Sequence, residues 1–163
     1  LRPFDLINNL SSEELAAIIW RFGQERYSRR IASMIVERRK HAAIDTTTEL
    51  SHLVAKALYR SRLKSHLHPA TRTFQALRIA VNRELESLEL FLDKVAPFIN
   101  TKGRICVISF HSLEDRIVKI KFRQLATTKH FRLIEKKPLT PTPHEIKNNA
   151  RCRSAKLRIV EKL

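Results

Sequence analysis

ICVISFHSLEDRIVK, Ile105–Lys119, turns from an apolar run to a polar knot without a break. Arg104 to Phe110 is a mainly apolar run with β-branched residues at Ile105, Val107 and Ile108, the composition of a strand covered on both faces in a parallel sheet. His111, Ser112, Glu114, Asp115 and Arg116 come next, and helical spacing resumes from Ser112 to about Leu125. Upstream, Phe74, Leu77, Val81, Leu85, Leu88, Leu92 and Val95 keep one helical face, which predicts a single helix from Phe74 to about Phe98. Asn100–Gly103 supplies a turn between that helix and the strand. Helix, turn, buried strand and helix make an α/β crossover unit, so the predicted fold class is α/β.

The remainder of the chain divides around this unit. In the first third, Ser11 and Glu14 have capping-box spacing, and Leu15, Ile18, Ile19 and Phe22 recur on one helical face that ends near Gly23. A second helix turns Tyr27, Ile31, Met34 and Ile35 inward. Thr46 and Glu49 repeat the capping box ahead of Leu50, Leu53, Val54, Ala57 and Leu58. A basic connector, YRSRLKSHLHP, leads to Pro69, which disfavours helix for His68, while Thr71 or Thr73 can cap the next helix. We therefore expect a helical domain over 1–68 and an α/β portion over 69–163. In the tail, FRLIEKK (131–137) and Leu157–Glu161 read as two strands. A proline-rich loop and a helical turn at His144–Asn149 lie between them, and the strands would add an antiparallel edge.

Charge limits the function. The 163 residues carry 32 Lys and Arg against 16 Asp and Glu, a formal net charge of +16. An excess that large points to a polyanionic partner, nucleic acid before a membrane surface. No segment approaches the ~20 apolar residues of a spanning helix. Arg26, Arg29, Arg30, Arg38, Arg39 and Lys40 crowd the second helix, and Arg151, Arg153 and Lys156 cluster before the last strand. With Arg72 and Lys119 they are the candidate phosphate contacts. Few aromatics interleave with them, which argues against a pure stacking platform. Cys106 and Cys152 lack metal or redox spacing and read as reduced thiols of a cytoplasmic protein. His66 and His68 lack acidic or thiol partners and read as loop histidines, so no metal is expected.

The polar knot has a local reading and a functional one. Ser112 can cap the helix, with Glu114 and Asp115 favoured in its first turn by the helix dipole. His111 is not needed for that, and ligands in open α/β sheets sit beyond the carboxyl ends of strands. His111, Ser112, Asp115 and Arg116 are therefore the candidate substrate-pocket residues. A His111–Ser112–Asp115 hydrolase triad is set aside, because three residues within one turn do not align as nucleophile, base and orienter. Only Gly23 and Gly103 are present, too few for a glycine-rich nucleotide loop.

Several blocks carry a family resemblance. FGQERYSRRIASMIVERRK, HPATRTFQALRIAVNRELESLE, GRICVISFHSLEDRIVK and NNARCRSAKLRIVEK resemble, in order, those of the RsmH (MraW) family. That resemblance implies S-adenosylmethionine-dependent methylation of a cytidine N4 in small-subunit (16S) ribosomal RNA. It also implies a class I, Rossmann-like and mainly parallel methyltransferase sheet with an inserted helical domain that helps to bind RNA. The family's cofactor loop, ribose-binding acid and catalytic motif have no counterpart here, so catalytic residues are expected to lie before Leu1. The chain then resembles the C-terminal portion of such an enzyme, inactive alone, with S-adenosylmethionine held mainly by an N-terminal half that is absent or on a separate chain. The segment ATTKH stands where a longer polar loop is expected. The competing class is a non-enzymatic basic module that coats RNA.

Overall fold

A computed structural model describes residues 2–59 and 68–163. The chain forms two compact units, Leu1–Glu84 and Leu85–Leu163. The expected division after residue 68 thus falls within the first unit, because the helix beginning at Thr71 packs there.

The first unit is all helical: α1 (Pro3–Asn9), α2 (Ser12–Gly23), α3 (Ser28–Arg39), α4 (Thr47–Leu58) and α5 (Thr71–Asn82). α1 escaped the pattern reading; it starts at Pro3, and the Asp5 side chain accepts the Arg2 amide. At α2 the Ser11 hydroxyl accepts the Glu14 amide, and Glu14 reaches back to the Ser11 amide, as expected from the spacing. Thr46 likewise accepts the Glu49 amide at α4, but Glu49 pairs with Arg38 instead of completing the box. α5 is capped by neither threonine: Ala70 is its N-cap and Thr73 is buried. Leu15, Ile19, Ile31, Ile35, Val54, Leu58 and Leu77 form the core. Each such side chain contributes roughly 1.5–3 kcal/mol of burial.

Gly23 ends α2 for a packing reason. It has no positive φ; the left-handed residue is Gln24, at φ 50°. A Cβ on Gly23 would lie 2.5 Å from the Arg72 carbonyl oxygen, so its absence lets α2 and α5 touch backbone to backbone.

The expected single helix from Phe74 is two. Arg83 adopts φ 51°, ending α5, and α6 begins at Glu84 (Glu84–Lys94). Neither glycine nor proline announces this break. Side chains fix it: Arg78 Nε and the Asn82 amide both donate to Glu84 Oε1, at 2.9 and 3.1 Å.

The second unit places α6 and α7 (Ser112–Thr127) with a three-stranded sheet of β1 (Arg104–Ser109), β2 (Phe131–Leu133) and β3 (Lys156–Lys162). The short helix α8 (Pro143–Asn148) lies between β2 and β3. The strand order is β1-β3-β2 and both pairings are antiparallel, with Ile105 opposite Val160 and Leu133 also opposite Val160. Among the described residues no strand runs parallel to β1, which corrects the expected parallel setting within this chain. β2 is also shorter than the seven residues expected.

Ile105, Val160, Phe131, Val118, Phe122 and Leu92 make the second core. The reverse face holds Cys106, Ile108 and Arg104, of which Ile108 is 57% exposed. β1 is therefore apolar on two faces, as the sequence says, but covered on one. On that reverse face Glu161 accepts from Arg104 and Arg132 at 2.6 Å each, tying the three strands together. The Arg104 and Arg132 hydrogen bonds hold the Glu161 carboxyl below its usual range.

Candidate functional site: a cationic surface and the end of β1

At the end of β1 the chain passes from Ser109 through Phe110 into α7, and His111 is the N-cap. Its Nδ1 accepts the Glu114 amide at 3.3 Å. The Glu114 carboxylate takes the amides of Phe110 and His111, at 2.9 and 3.3 Å. Glu114 Oε1 also lies 3.3 Å from His111 Nε2, and the imidazole is only 10% exposed. This corrects the expectation that Ser112 caps and His111 is spare. An imidazole at the N-cap position does what a serine hydroxyl would, accepting a free first-turn amide.

Asp115 is likewise committed. It is buried at the α7–β3 interface, 2.7 Å from Arg158 Nε and 3.3 Å from Lys156 Nζ. Burial opposes its charge, but the hydrogen bonds and charges of Arg158 and Lys156 outweigh that and hold its carboxyl below the ordinary value. Ser112 and Arg116 alone among the four pocket candidates are exposed. The structure thus gathers the four at one helix start but gives His111 and Asp115 local partners.

The basic candidates sort the same way. Arg39 donates to the carbonyls of Ile7 and Leu10, closing the C-terminal end of α1. Arg38 pairs with Glu49, Lys40 with Glu37, and Lys156 with Asp115. Arg72 donates to the Gln24 carbonyl at 3.2 Å, and Arg26 to the Tyr27 hydroxyl at 2.7 Å. Arg29, Arg30, Lys119, Arg151 and Arg153 have no acidic partner among the described residues. Of the two loop histidines, His68 accepts the Ala70 amide, whereas His66 lies outside the described residues.

Two aromatics were missed as site residues. Trp20 is 59% exposed and Tyr59 76%. Trp20 falls off the Leu15–Ile18–Ile19–Phe22 face of α2, a signal that the sequence did carry. Trp20, Arg26 and Arg29 line a cleft of about 850 Å³ with Ser12 and Glu13. Tyr59, Lys56 and Arg30 line a second.

The glycines and the strand-end acids among the described residues are already engaged. Gly23 faces the Arg72 carbonyl and Gly103 the Asn100 carbonyl, so neither opens a phosphate cradle. The acids at the strand end are engaged in capping and ion pairs.

A basic helical unit and an antiparallel α/β unit, each carrying cations without an acidic partner among the described residues, define a mixed α/β protein. The chain belongs to the MraW methylase family, whose profile matches residues 2–163. It is 47% identical over its full length to a Caldicellulosiruptor bescii protein named ribosomal RNA small subunit methyltransferase H, covering 57% of that protein. A Cyanothece protein of the same name is 52% identical over the full chain, which covers 53% of it. For a Fusobacterium nucleatum protein of that name the values are 45% identity and 56% coverage. The chain thus spans a little over half the length of the curated relatives it matches. Both described cysteines are free thiols, and no described helix is long and apolar enough to cross a membrane.

Proposed function

We propose that this chain is the RNA-handling part of an enzyme that methylates N4 of a cytidine in small-subunit (16S) ribosomal RNA. S-adenosylmethionine is the methyl donor and is held by residues outside those described. The observation that carries this reading is the family match across residues 2–163, to relatives named as ribosomal RNA small subunit methyltransferases.

β1 supports the finer fold assignment. It is paired along one edge only among the described residues and leaves Ile108 exposed beside it. An open apolar strand is the natural seat for further strands of a class I methyltransferase sheet. The same feature disfavours a stand-alone RNA-coating module, which has no use for an unpaired apolar edge.

A cytosine amine is a poor nucleophile because its lone pair is conjugated with the ring, so the enzyme must extrude the base and fix it edge-on. In this chain Arg29, Arg30, Lys119, Arg151 and Arg153 neutralise phosphates, and Ser112 and Arg116 form the rim of the base pocket. His111, Glu114 and Asp115 set the start of α7 and so place that rim. By itself the chain binds RNA and does not transfer methyl groups.

The test is a chimera in which these residues replace the matching stretch of the Caldicellulosiruptor bescii relative. Methyl transfer to small-subunit RNA is expected to persist. A folded chimera that leaves small-subunit RNA unmethylated would overturn the assignment, as would tight S-adenosylmethionine binding by the 163 residues alone in calorimetry.

A further inference from the structure

We propose that the helical unit grips single-stranded RNA by stacking bases on Trp20 and Tyr59, on either side of an arginine ridge formed by Arg26, Arg29 and Arg30. The inference rests on the ribosomal RNA reading above and specifies how the strand is held.

The two clefts share the N-terminal turn of α3. One joins α2 to α3 and is lined by Trp20, Arg26 and Arg29. The other joins α3 to α4 and is lined by Arg30, Lys56 and Tyr59. Adjacent arginines on a helix diverge by about 100°. Arg29 and Arg30 therefore serve different clefts while belonging to one ridge. Each cleft holds one exposed aromatic and at least two cations, the pairing that a base and its phosphates need.

Neither aromatic is exposed for want of core positions. Leu15, Ile19 and Ile31 fill that core, and Trp20 lies about 100° around α2 from Ile19, on the flank of the core face. Arg26 is oriented rather than loose: its guanidinium lies 4.9 Å from the Tyr27 ring centroid and bonds the Tyr27 hydroxyl. Arg29 and Arg30 are unpaired by acids among the described residues and stay available to phosphate. Glu13 adds one carboxylate to the Trp20 cleft, the group that accepts from an exocyclic base amine. A duplex keeps its base faces stacked inside and gives Trp20 nothing to stack on.

Trp20 is the only tryptophan in the chain, so its fluorescence reports this cleft alone. The experiment titrates the full chain with single-stranded oligocytidylate of about 12 nucleotides, then with an RNA duplex of that length and with inorganic polyphosphate. Affinity is followed in parallel by anisotropy of end-labelled RNA. Single strands are expected to quench Trp20, and duplex and polyphosphate are not. Trp20→Ala and Tyr59→Ala are each expected to weaken single-strand binding roughly 5- to 100-fold, and Trp20→Phe to restore most of the affinity. Both sites are exposed, and circular dichroism checks that each variant keeps its helices. Single-strand binding without quenching, or unchanged in Trp20→Ala, would overturn the stacking site and leave the RNA reading standing. Quenching by polyphosphate equal to that by RNA would overturn it as well. Absence of binding to every RNA would remove the RNA reading and this inference together.

Discussion

Gly23→Ala separates two opposed physical effects at one atom. On helix propensity alone, alanine near the end of α2 should stabilise the helix by up to ~1 kcal/mol. The new methyl would, however, sit 2.5 Å from the Arg72 carbonyl oxygen and 3.2 Å from Ala76 Cβ. The first of these is backbone, so relief requires α5 to move as a body away from α2. Such a movement stretches the Arg72–Gln24 bond and loosens the seam formed by Leu15, Ile19 and Leu77. Overpacking of this kind costs about 1–3 kcal/mol, and a backbone obstacle belongs at the upper end. Set against the propensity gain, the net loss is about 2 kcal/mol. For a unit of this size that lowers Tm by roughly 8–16 °C. Trp20 lies on the same helix and reports the transition, so fluorescence-detected thermal and urea unfolding suffices. A Gly23→Ala chain as stable as the parent, or more stable, would refute the claim that α2 and α5 meet through backbone at this point.

Removing the cap at α7 with His111→Ala should cost about 1 kcal/mol in urea unfolding of the second unit, and His111→Asn should recover most of it; equal losses in both would sink the capping role. Phe122→Ala empties the middle of the second core and should cost about 3–5 kcal/mol, read by circular dichroism. Asp115 has a folded pKa below its ordinary 3.8, so its ion pairs stabilise fully above that value and are lost as pH falls through the lowered folded pKa. Asp115→Asn should lose stability at neutral pH and show a shallower decline in acid; an unchanged decline would contradict this. Glu161 titrates in the same direction and will leave part of the slope in place. Substituting Arg29 or Arg30 by Ala should reduce the salt dependence of RNA binding by about one unit in log–log slope each. Arg39→Ala should instead lower stability, since its guanidinium holds the carbonyls of Ile7 and Leu10.

Periodicity made the helices legible wherever burial is one-sided. The α2 face and its Ser11–Glu14 box were readable because propensity, capping and core-facing positions agree there. The break at Arg83 was not, because a heptad-like apolar pattern runs straight through it. Its cause is a set of side-chain hydrogen bonds onto Glu84 that have no compositional mark. β1 failed in a more instructive way. Its residues are those of a strand buried on both faces, but the neighbours that such burial needs are not among the described residues. The composition of β1 is apolar on two faces, whereas its pairing among the described residues is with β3 alone.

The candidate site obeys the same logic. Residue type makes Ser112 the cap and leaves His111 for a crevice, yet the backbone amides at the start of α7 need acceptors whatever chemistry lies nearby. An imidazole that meets this need is held in one orientation by the Glu114 amide and carboxylate. Net charge is coarser than geometry. A surplus of cations says that a polyanion is expected, but only geometry distinguishes Arg39, spent on the carbonyls that end α1, from Arg29, which forms no ion pair with an acid among the described residues. The two lie on one helix in a stretch of sequence that treats them alike. What separates them is whether the neighbouring backbone has already claimed the guanidinium. The cations left over after the fold has met its own needs are therefore the ones on which the proposed RNA interface rests.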